Sequence, residues 1–112
     1  MPRVSAASAD TSEATLDQLF GALADPTRRA LLMRLVARGE ASATLLADAF
    51  PLTRQAVVKH LQALQEAGLL VSERVGREVR FRAEPAQLAA AVGWLLDAGA
   101  SWDRRIERLR AR

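Results

Sequence analysis

Two adjacent polar residues near the middle of the chain have side chains suited to reading DNA bases. Arg54 and Gln55 can make paired hydrogen bonds to guanine and adenine edges, respectively, in a major groove. One turn further on, Lys59 and His60 are suited to phosphate contact, although a lone histidine also packs or titrates. Val58, between the two pairs, offers an apolar contact to a thymine methyl group. These residue types predict a DNA-binding segment, with the alternative that Arg54 and Gln55 contact only phosphate.

A helix must carry these side chains, and residues 53 to 67 have the pattern of one. Thr53 is placed to cap its N-terminus, and phosphate contact is compatible with capping because the first-turn amides also face an anion. Gly68 supplies the left-handed residue that ends the helix. Apolar residues at helical spacing predict its buried stripe: Val57, Leu61 and Leu64.

A strand-turn-strand pattern follows the predicted helix directly. Leu69 to Val75 and Glu78 to Phe81 alternate in part between apolar and polar residues, and Gly76-Arg77 has the composition of a tight turn. Arg77 therefore lies at the tip of a two-stranded wing, from which a cation reaches phosphate or the minor groove. Three apolar wing residues are predicted to face inward or to pair across the strands: Val75, Val79 and Phe81.

Two more helices are predicted upstream, after a flexible tail at residues 1 to 12. The first covers 13 to 24, with one apolar face: Leu16, Leu19, Phe20 and Leu23. Asp25 as a cap and Pro26 at the first helical position begin the second helix, which ends before Gly39. Its apolar set is Leu31, Leu32, Leu35 and Val36.

Ser42 begins a short third helix that contains Leu45, Leu46 and Ala49, and the proline in Phe50-Pro51-Leu52 ends it. A helix, a short turn and the helix at 53 to 67 form a helix-turn-helix, in which the second helix faces the major groove.

Arg28 and Arg29 lie in the first turn of the second helix, where the dipole favours acidic side chains. We expect compensation by salt bridges to Asp25 or Asp48, with phosphate contact as a second role.

A heptad pattern runs through the last segment, which begins at Pro85. Its apolar positions alternate in spacing between four and three residues: Leu88, Val92, Leu95, Gly99, Trp102, Ile106 and Leu109. Such a helix, from about 85 to 110, would be roughly 40 Å long at about 1.5 Å per residue, longer than a small domain requires for its own core. Trp94 and Trp102 add large apolar faces typical of interfaces. A partner helix is predicted, the alternative being that the helix folds back on its own domain.

Composition restricts the class of protein further. The chain has 112 residues, half of them hydrophobic, a net charge of +3 and no cysteine, which fits one domain in a reducing, cytoplasmic setting. No run of about 18 apolar residues predicts a membrane span. No set of residues suggests a nucleophile with its base, a metal site or a phosphate loop, so neither an enzyme nor a cofactor is predicted. The basic excess falls within residues 54 to 82, on the proposed DNA-facing segment.

Three stretches together resemble the ArsR/SmtB-type winged-helix repressors: LFGALADPTRRALLMRLVARGE, LTRQAVVKHLQALQEAGLL and VSERVGREVRFR. The similarity covers about residues 16 to 110. It implies a mainly α winged helix-turn-helix with about five helices and a two-stranded wing, in a bacterial homodimeric repressor. It also implies recognition helices in successive major grooves, an effector at another site, and a dimer interface on the first and last helices, at Leu16, Leu19, Phe20, Leu88, Val92, Leu95, Gly99, Trp102 and Ile106.

The chain departs from that family in its metal-binding residues. Founding members sense metals through cysteines, or through histidine and carboxylate ligands on the last helix; this chain has no cysteine, and residues 85 to 112 have no histidine. We predict no metal site, because Asp97, Asp103 and Glu107 lie among arginines and more often form surface ion pairs there. Val58 also stands where many relatives have serine.

The sequence therefore predicts a homodimer that binds a pseudo-palindromic double-stranded DNA operator and represses transcription, with a small-molecule effector left open. One alternative is a winged-helix module that binds another protein through its C-terminal heptads. Another is nonspecific DNA compaction, which the small net charge disfavours.

Overall fold

Five helices and three strands make up the computed structural model, which describes residues 13–111. The elements in chain order are α1 Glu13–Leu23, α2 Pro26–Arg38, β1 Ala41–Ser42, α3 Ala43–Ala49, α4 Arg54–Glu66, β2 Leu70–Val75, β3 Glu78–Ala83 and α5 Pro85–Arg110. The predicted winged helix-turn-helix is confirmed, with α3 and α4 as the paired helices. The tail predicted at residues 1 to 12 lies outside the described residues.

Side-chain caps begin three of the helices where the sequence predicted them. The Asp25 carboxylate accepts from the amides of Thr27 and Arg28 at 2.7 and 3.1 Å. The Ser42 hydroxyl accepts from the Leu45 amide at 3.1 Å, and the Thr53 hydroxyl accepts from the Ala56 amide at 3.0 Å. Each cap satisfies amides that the helix itself leaves unpaired, and so fixes where the helix starts.

Leucines from four helices meet in one core. The fully buried large residues are Leu19, Leu31, Leu35, Leu46, Leu61, Leu64, Leu69 and Val57. The buried stripe predicted for α4 is thus confirmed, and it packs this helix, hereafter the recognition helix, against the core. Val36 of the predicted α2 set is exposed instead, as is Leu45 in α3. Only one face of each helix packs against the core, so an apolar residue just outside that face stays exposed.

The wing belongs to a three-stranded antiparallel sheet in the order β1-β3-β2. Gly76, at φ 65°, makes the turn between β2 and β3. The sequence did not predict β1, because two residues show no alternation; pairing with β3, Ala41 opposite Phe81, defines it. Phe81 faces the core, whereas Val75 and Val79 are each 38% exposed and pair across the strands with Glu78 and Arg74, the second of the two predicted arrangements. The outer wing extends beyond the domain, where there is no core to receive them.

Arg28 and Arg29 fold back over the end of α1. Arg28 donates from Nε to the Ala22 carbonyl at 2.8 Å, and Arg29 donates to the Leu23 carbonyl at 2.6 Å. The expected salt bridges to Asp25 or Asp48 do not form among the described residues. Carbonyls at a helix C-terminus carry partial negative charge and lack helical partners, so they attract the guanidinium groups.

Helix α5 leaves the core after its first two turns. Leu88 packs against the core and Ala91 is buried, but almost all of the helix beyond Ala91 is exposed. The Trp94 ring makes an edge-on contact with Phe20 of α1, with centroids 5.7 Å apart. Within residues 13–111, no helix has the length and apolar character needed to span a bilayer.

Candidate nucleic-acid interface

The outer face of α4 is polar and open to solvent. Gln55, Lys59 and Gln62 are exposed, on the side of the helix away from its buried stripe. Thr53, which caps α4, and Arg54, its first residue, are exposed beside these side chains. This face combines hydrogen-bonding amides and a cation, which are the groups that contact bases and phosphates in a groove.

Arg54, the first residue of α4, is held by a neighbour that the sequence did not identify. Its Nε donates to the hydroxyl of Thr44, on α3, at 3.1 Å. This contact orients the guanidinium, and because its two terminal nitrogens make no hydrogen bond within residues 13–111, they can bind a base edge or a phosphate. A contact between residues ten positions apart on two helices leaves no periodic signal, so Thr44 was missed.

A cleft of about 270 Å³ separates the recognition helix from the wing. Val58, Val79 and Phe81 contribute apolar surface to it, and Arg54 and Arg77 contribute cations. Val58 is half-buried and packs against the core, so only part of its side chain is available for the predicted contact with a thymine methyl group.

The arginines of the wing differ in whether they form ion pairs with acidic side chains. Arg77 is exposed at the tip as expected, and none of Arg74, Arg77 and Arg82 forms an ion pair within the described part of the chain. Arg80 instead contacts Glu78 at 3.0 Å and Glu40 at 3.1 Å. Hydrogen bonds from Arg80 to these carboxylates, Glu78 foremost, raise the pKa of Arg80. Arg80 therefore joins the wing to the α2–β1 loop rather than adding to the basic surface.

His60 lies half-buried on α4 and interacts electrostatically with Asp25, the cap of α2. Hydrogen bonds from the Arg28 and Thr27 amides lower the pKa of Asp25, and the charges of Arg28 and His60 act in the same direction. His60 thus lies on the recognition helix and close enough to the α2 cap to act on Asp25, so packing and phosphate contact both remain predictions for it.

The residues predicted for self-association fall into two groups. Val92, Leu95, Gly99 and Trp102 are exposed along α5, and Ile106 is half-exposed. Leu19 is fully buried and Leu16 nearly so, within the core of their own chain, while Leu88 and Phe20 are half-buried. The surface available to a partner therefore lies mainly on α5 beyond Ala91.

No three histidine or acidic side chains come together as a metal site in the described residues 13–111. Of the three acidic residues of α5 expected to form surface ion pairs, Glu107 pairs with Arg110 at 3.7 Å, whereas Asp97 and Asp103 form no ion pair within residues 13–111.

Known proteins share both the sequence and the arrangement of these elements. A family model for a helix-turn-helix domain matches residues 23–73. The transcriptional regulator CmtR of Mycobacterium tuberculosis H37Rv is 40% identical over 84 residues, which span 75% of this chain and 70% of CmtR. The NMR structure of the cadmium metal sensor CMTR from M. tuberculosis has a TM-score of 0.56 at 41% identity, and the match covers 71% of this chain and 81% of that one.

Two solved structures match over longer stretches. An ArsR-like transcriptional regulator from Rhodococcus sp. RHA1 has a TM-score of 0.79 at 45% identity, covering 87% of this chain and 91% of the other. A homodimeric winged helix-turn-helix DNA-binding domain from Mycobacterium bovis has a TM-score of 0.64 at 25% identity, covering 90% and 87%. The chain thus belongs to the ArsR family of winged helix-turn-helix proteins and is a DNA-binding transcriptional regulator.

Proposed function

We propose that this regulator represses transcription as a homodimer that occupies a pseudo-palindromic operator. The observation that carries the proposal is the open polar face of α4, flanked by the oriented guanidinium of Arg54 and by Arg77 at the wing tip. A twofold dimer presents two such faces, and a symmetric pair of reading helices matches a DNA site with twofold symmetry.

The site residues divide by the part of DNA that they reach. Arg54 and Gln55 lie at the start of α4 and read base edges, because their side chains make paired hydrogen bonds. Lys59, Thr53 and His60 contact phosphates and fix the register of the helix in the groove. Val58 offers a limited apolar surface to a thymine methyl group, and Arg77 contacts phosphate or the minor groove.

The dimer forms through α5, whose apolar residues have few partners within the chain. Trp102 and Leu109 are 62% and 61% exposed, and large apolar side chains clustered at a monomer surface mark an interaction site. The homodimeric state of the M. bovis domain supports the same arrangement here.

Any effector of this protein differs in chemistry from the cadmium sensed by CMTR. Cadmium is a soft cation that favours thiolate ligands, and the sequence contains no cysteine. A small-molecule effector that weakens the DNA complex is compatible with the proposal and is not required by it.

The test is fluorescence anisotropy of the purified protein with the DNA upstream of its own gene. We expect saturable binding that survives excess random competitor DNA, with a footprint on both halves of an inverted repeat. Equal affinity for random DNA would contradict the operator proposal and favour nonspecific compaction. A dimer that ignores DNA at low ionic strength would favour the protein-interaction module.

A further inference from the structure

The cleft between the recognition helix and the wing contains two hydroxyl groups whose protons are not used by the protein. Ser42 and Thr44 line this cleft, and each accepts a hydrogen bond, from the Leu45 amide and from Arg54 Nε respectively. A hydroxyl that accepts one hydrogen bond keeps its own proton for donation. Neither hydroxyl donates within residues 13–111. Two neutral donors are therefore available to a ligand in the cleft.

The same cleft carries positive charge that no free acidic group balances. Arg54 and Arg77 both line it, and neither forms an ion pair in the described part of the chain. Of the described residues that line the cleft, only Glu78 is acidic, and its carboxylate already accepts from Arg80 Nε at 3.0 Å. Donors and cations without a free acceptor favour an anion. A carboxylate fits best, because a guanidinium group can bind it through two parallel hydrogen bonds.

The remaining wall of the cleft is apolar. Val58 of the recognition helix forms it together with Val79 and Phe81 of the wing, and Val79 is exposed. Such a wall contributes to binding when an apolar group displaces water from it. The volume of the cleft, about 270 Å³, lies just below the range of about 300 to 1,000 Å³ that is typical of small-molecule sites. The wall and the volume together fit the body of a small organic molecule.

We propose that this cleft binds a small organic carboxylate, with the carboxylate group on Arg54 and Arg77 and the apolar body on Val79 and its neighbours. This inference rests on the proposed function, and it gives the effector a chemical class and a binding site. Arg54 and Arg77 are also the proposed contacts to DNA, so the ligand and the operator cannot use them at the same time. The carboxylate therefore releases DNA by direct competition.

Titration of the DNA-free protein with straight-chain carboxylates tests the site. The probes are acetate, butyrate, hexanoate and octanoate, and NMR spectra of the backbone amides report both the affinity and the place of binding. We expect the affinity to rise by up to about fourfold for each methylene group that enters the cleft. Hexan-1-ol, which has no charge, should bind at least about tenfold more weakly than hexanoate. The amide signals that shift should include those of Thr44 and Val79.

Two substitutions separate the binding of the carboxylate group from the binding of the apolar body. Arg77→Gln removes one cation and should weaken hexanoate binding about tenfold. Val79→Ser removes apolar surface, so it should weaken octanoate binding and leave acetate binding unchanged. Arg82→Gln is the matched control, because Arg82 is exposed and lies on the opposite face of β3 from Val79. This control should bind hexanoate as the wild type does, and melting temperatures verify that all three variants fold.

Three results would overturn the proposed site. Equal affinity for hexanoate and hexan-1-ol would exclude recognition of the anionic group. An affinity that does not change with chain length would exclude the apolar contact and leave only a site for DNA phosphates. Binding of no carboxylate, or shifts confined to residues outside the cleft, would exclude the site itself. These titrations contain no DNA, so their failure is distinguishable from failure of the proposed function, which a protein that binds no operator would show.

Competition is measured by anisotropy of a fluorescent operator in the presence of octanoate. The apparent affinity for the operator should keep falling as octanoate is added, because a competitor excludes DNA completely. An effector at a separate site changes the affinity only by a fixed factor, so a plateau would overturn direct competition. Acetate at the same ionic strength is the control, since salt alone weakens DNA binding.

Discussion

Thr44 orients the side chain of Arg54 by accepting one hydrogen bond from it. The hydroxyl accepts from Arg54 Nε at 3.1 Å, between two exposed side chains that would otherwise sample several rotamers. Arg54→Ala should cost on the order of 1 to 3 kcal/mol of operator binding and relax selectivity at one base pair, if that contact is to guanine. Anisotropy against operators altered at single positions measures both effects. Equal loss on every sequence would make Arg54 a phosphate contact.

Replacement of Thr44 separates orientation from contact. Thr44→Val removes the acceptor with little change of shape, so we expect weaker operator binding with an unchanged melting temperature. Thr44→Ser keeps the hydroxyl and is the matched control. Thr44→Val should have no further effect on operator affinity in a chain that already carries Arg54→Ala, because the two residues act through one interaction. Additive losses in the double variant would show that Thr44 acts independently of Arg54.

Asp25 links the stability of the α2 cap to pH. Hydrogen bonds from the Arg28 and Thr27 amides lower its pKa in the folded chain. The stabilisation is therefore present above the ordinary aspartate pKa and is lost as pH falls through the lower, folded value. Asp25→Asn keeps a capping oxygen without a titrating charge. On acidification, the melting temperature of the wild-type protein should fall more steeply than that of the variant; parallel curves would contradict the assignment.

Residue-level prediction from the sequence worked for local interactions and failed for distant ones. Asp25, Ser42 and Thr53 were predicted as caps because a cap bonds amides only two or three residues away. Arg28 was expected to form a salt bridge with an aspartate. Its side chain instead donates to the carbonyl of Ala22, six residues earlier, near the end of α1. Which acceptor a long side chain selects depends on how α1 and α2 meet, and no sequence spacing encodes that.

At the scale of elements, the ADPTRR segment holds two helices end to end. Asp25 caps the start of α2, while Arg28 and Arg29 bond carbonyls at the end of α1. Arg28→Ala should lower the free energy of unfolding by about 1 kcal/mol, since a charged donor to a part-buried carbonyl is lost. Denaturant unfolding measures the change, and exposed Arg74→Ala is the control. Equal stability of the two variants would mean that water replaces the contact without cost.

The elements themselves were predictable in proportion to their length and periodicity. The bounds of α2 and α4 were predicted to within one or two residues. In each helix the capping residue, the apolar stripe and the glycine that follows the helix predict the same bounds. Strand β1 was missed because its pairing with β3 joins residues forty positions apart. The pattern left two arrangements open for Val79, because alternation gives the two faces of a strand but not where the core beneath it ends.

For the whole molecule, the distribution of charge predicts how DNA affinity depends on salt. Arg77 forms no ion pair in the described chain, whereas Arg80 is held by Glu78 and Glu40. Each phosphate that a cation neutralises adds about 0.9 to the slope of log affinity against log salt. In a dimer, Arg77→Ala should therefore reduce the slope by about 2, one contact from each protomer.

Arg80→Ala should leave the slope of log affinity against log salt almost unchanged. The affinity itself can fall, because the wing loses its attachment to the α2–β1 loop. The reason is that the positive charge of Arg80 is already compensated in the free protein, so it releases no counterion when DNA binds. Titrations at four or five salt concentrations give the slopes for wild type and both variants. If Arg80→Ala reduced the slope as much as Arg77→Ala, Arg80 would have to leave Glu78 and Glu40 and bind a phosphate of the operator. DNA binding would then move the wing, and the ion pairs of the free protein would not fix its position.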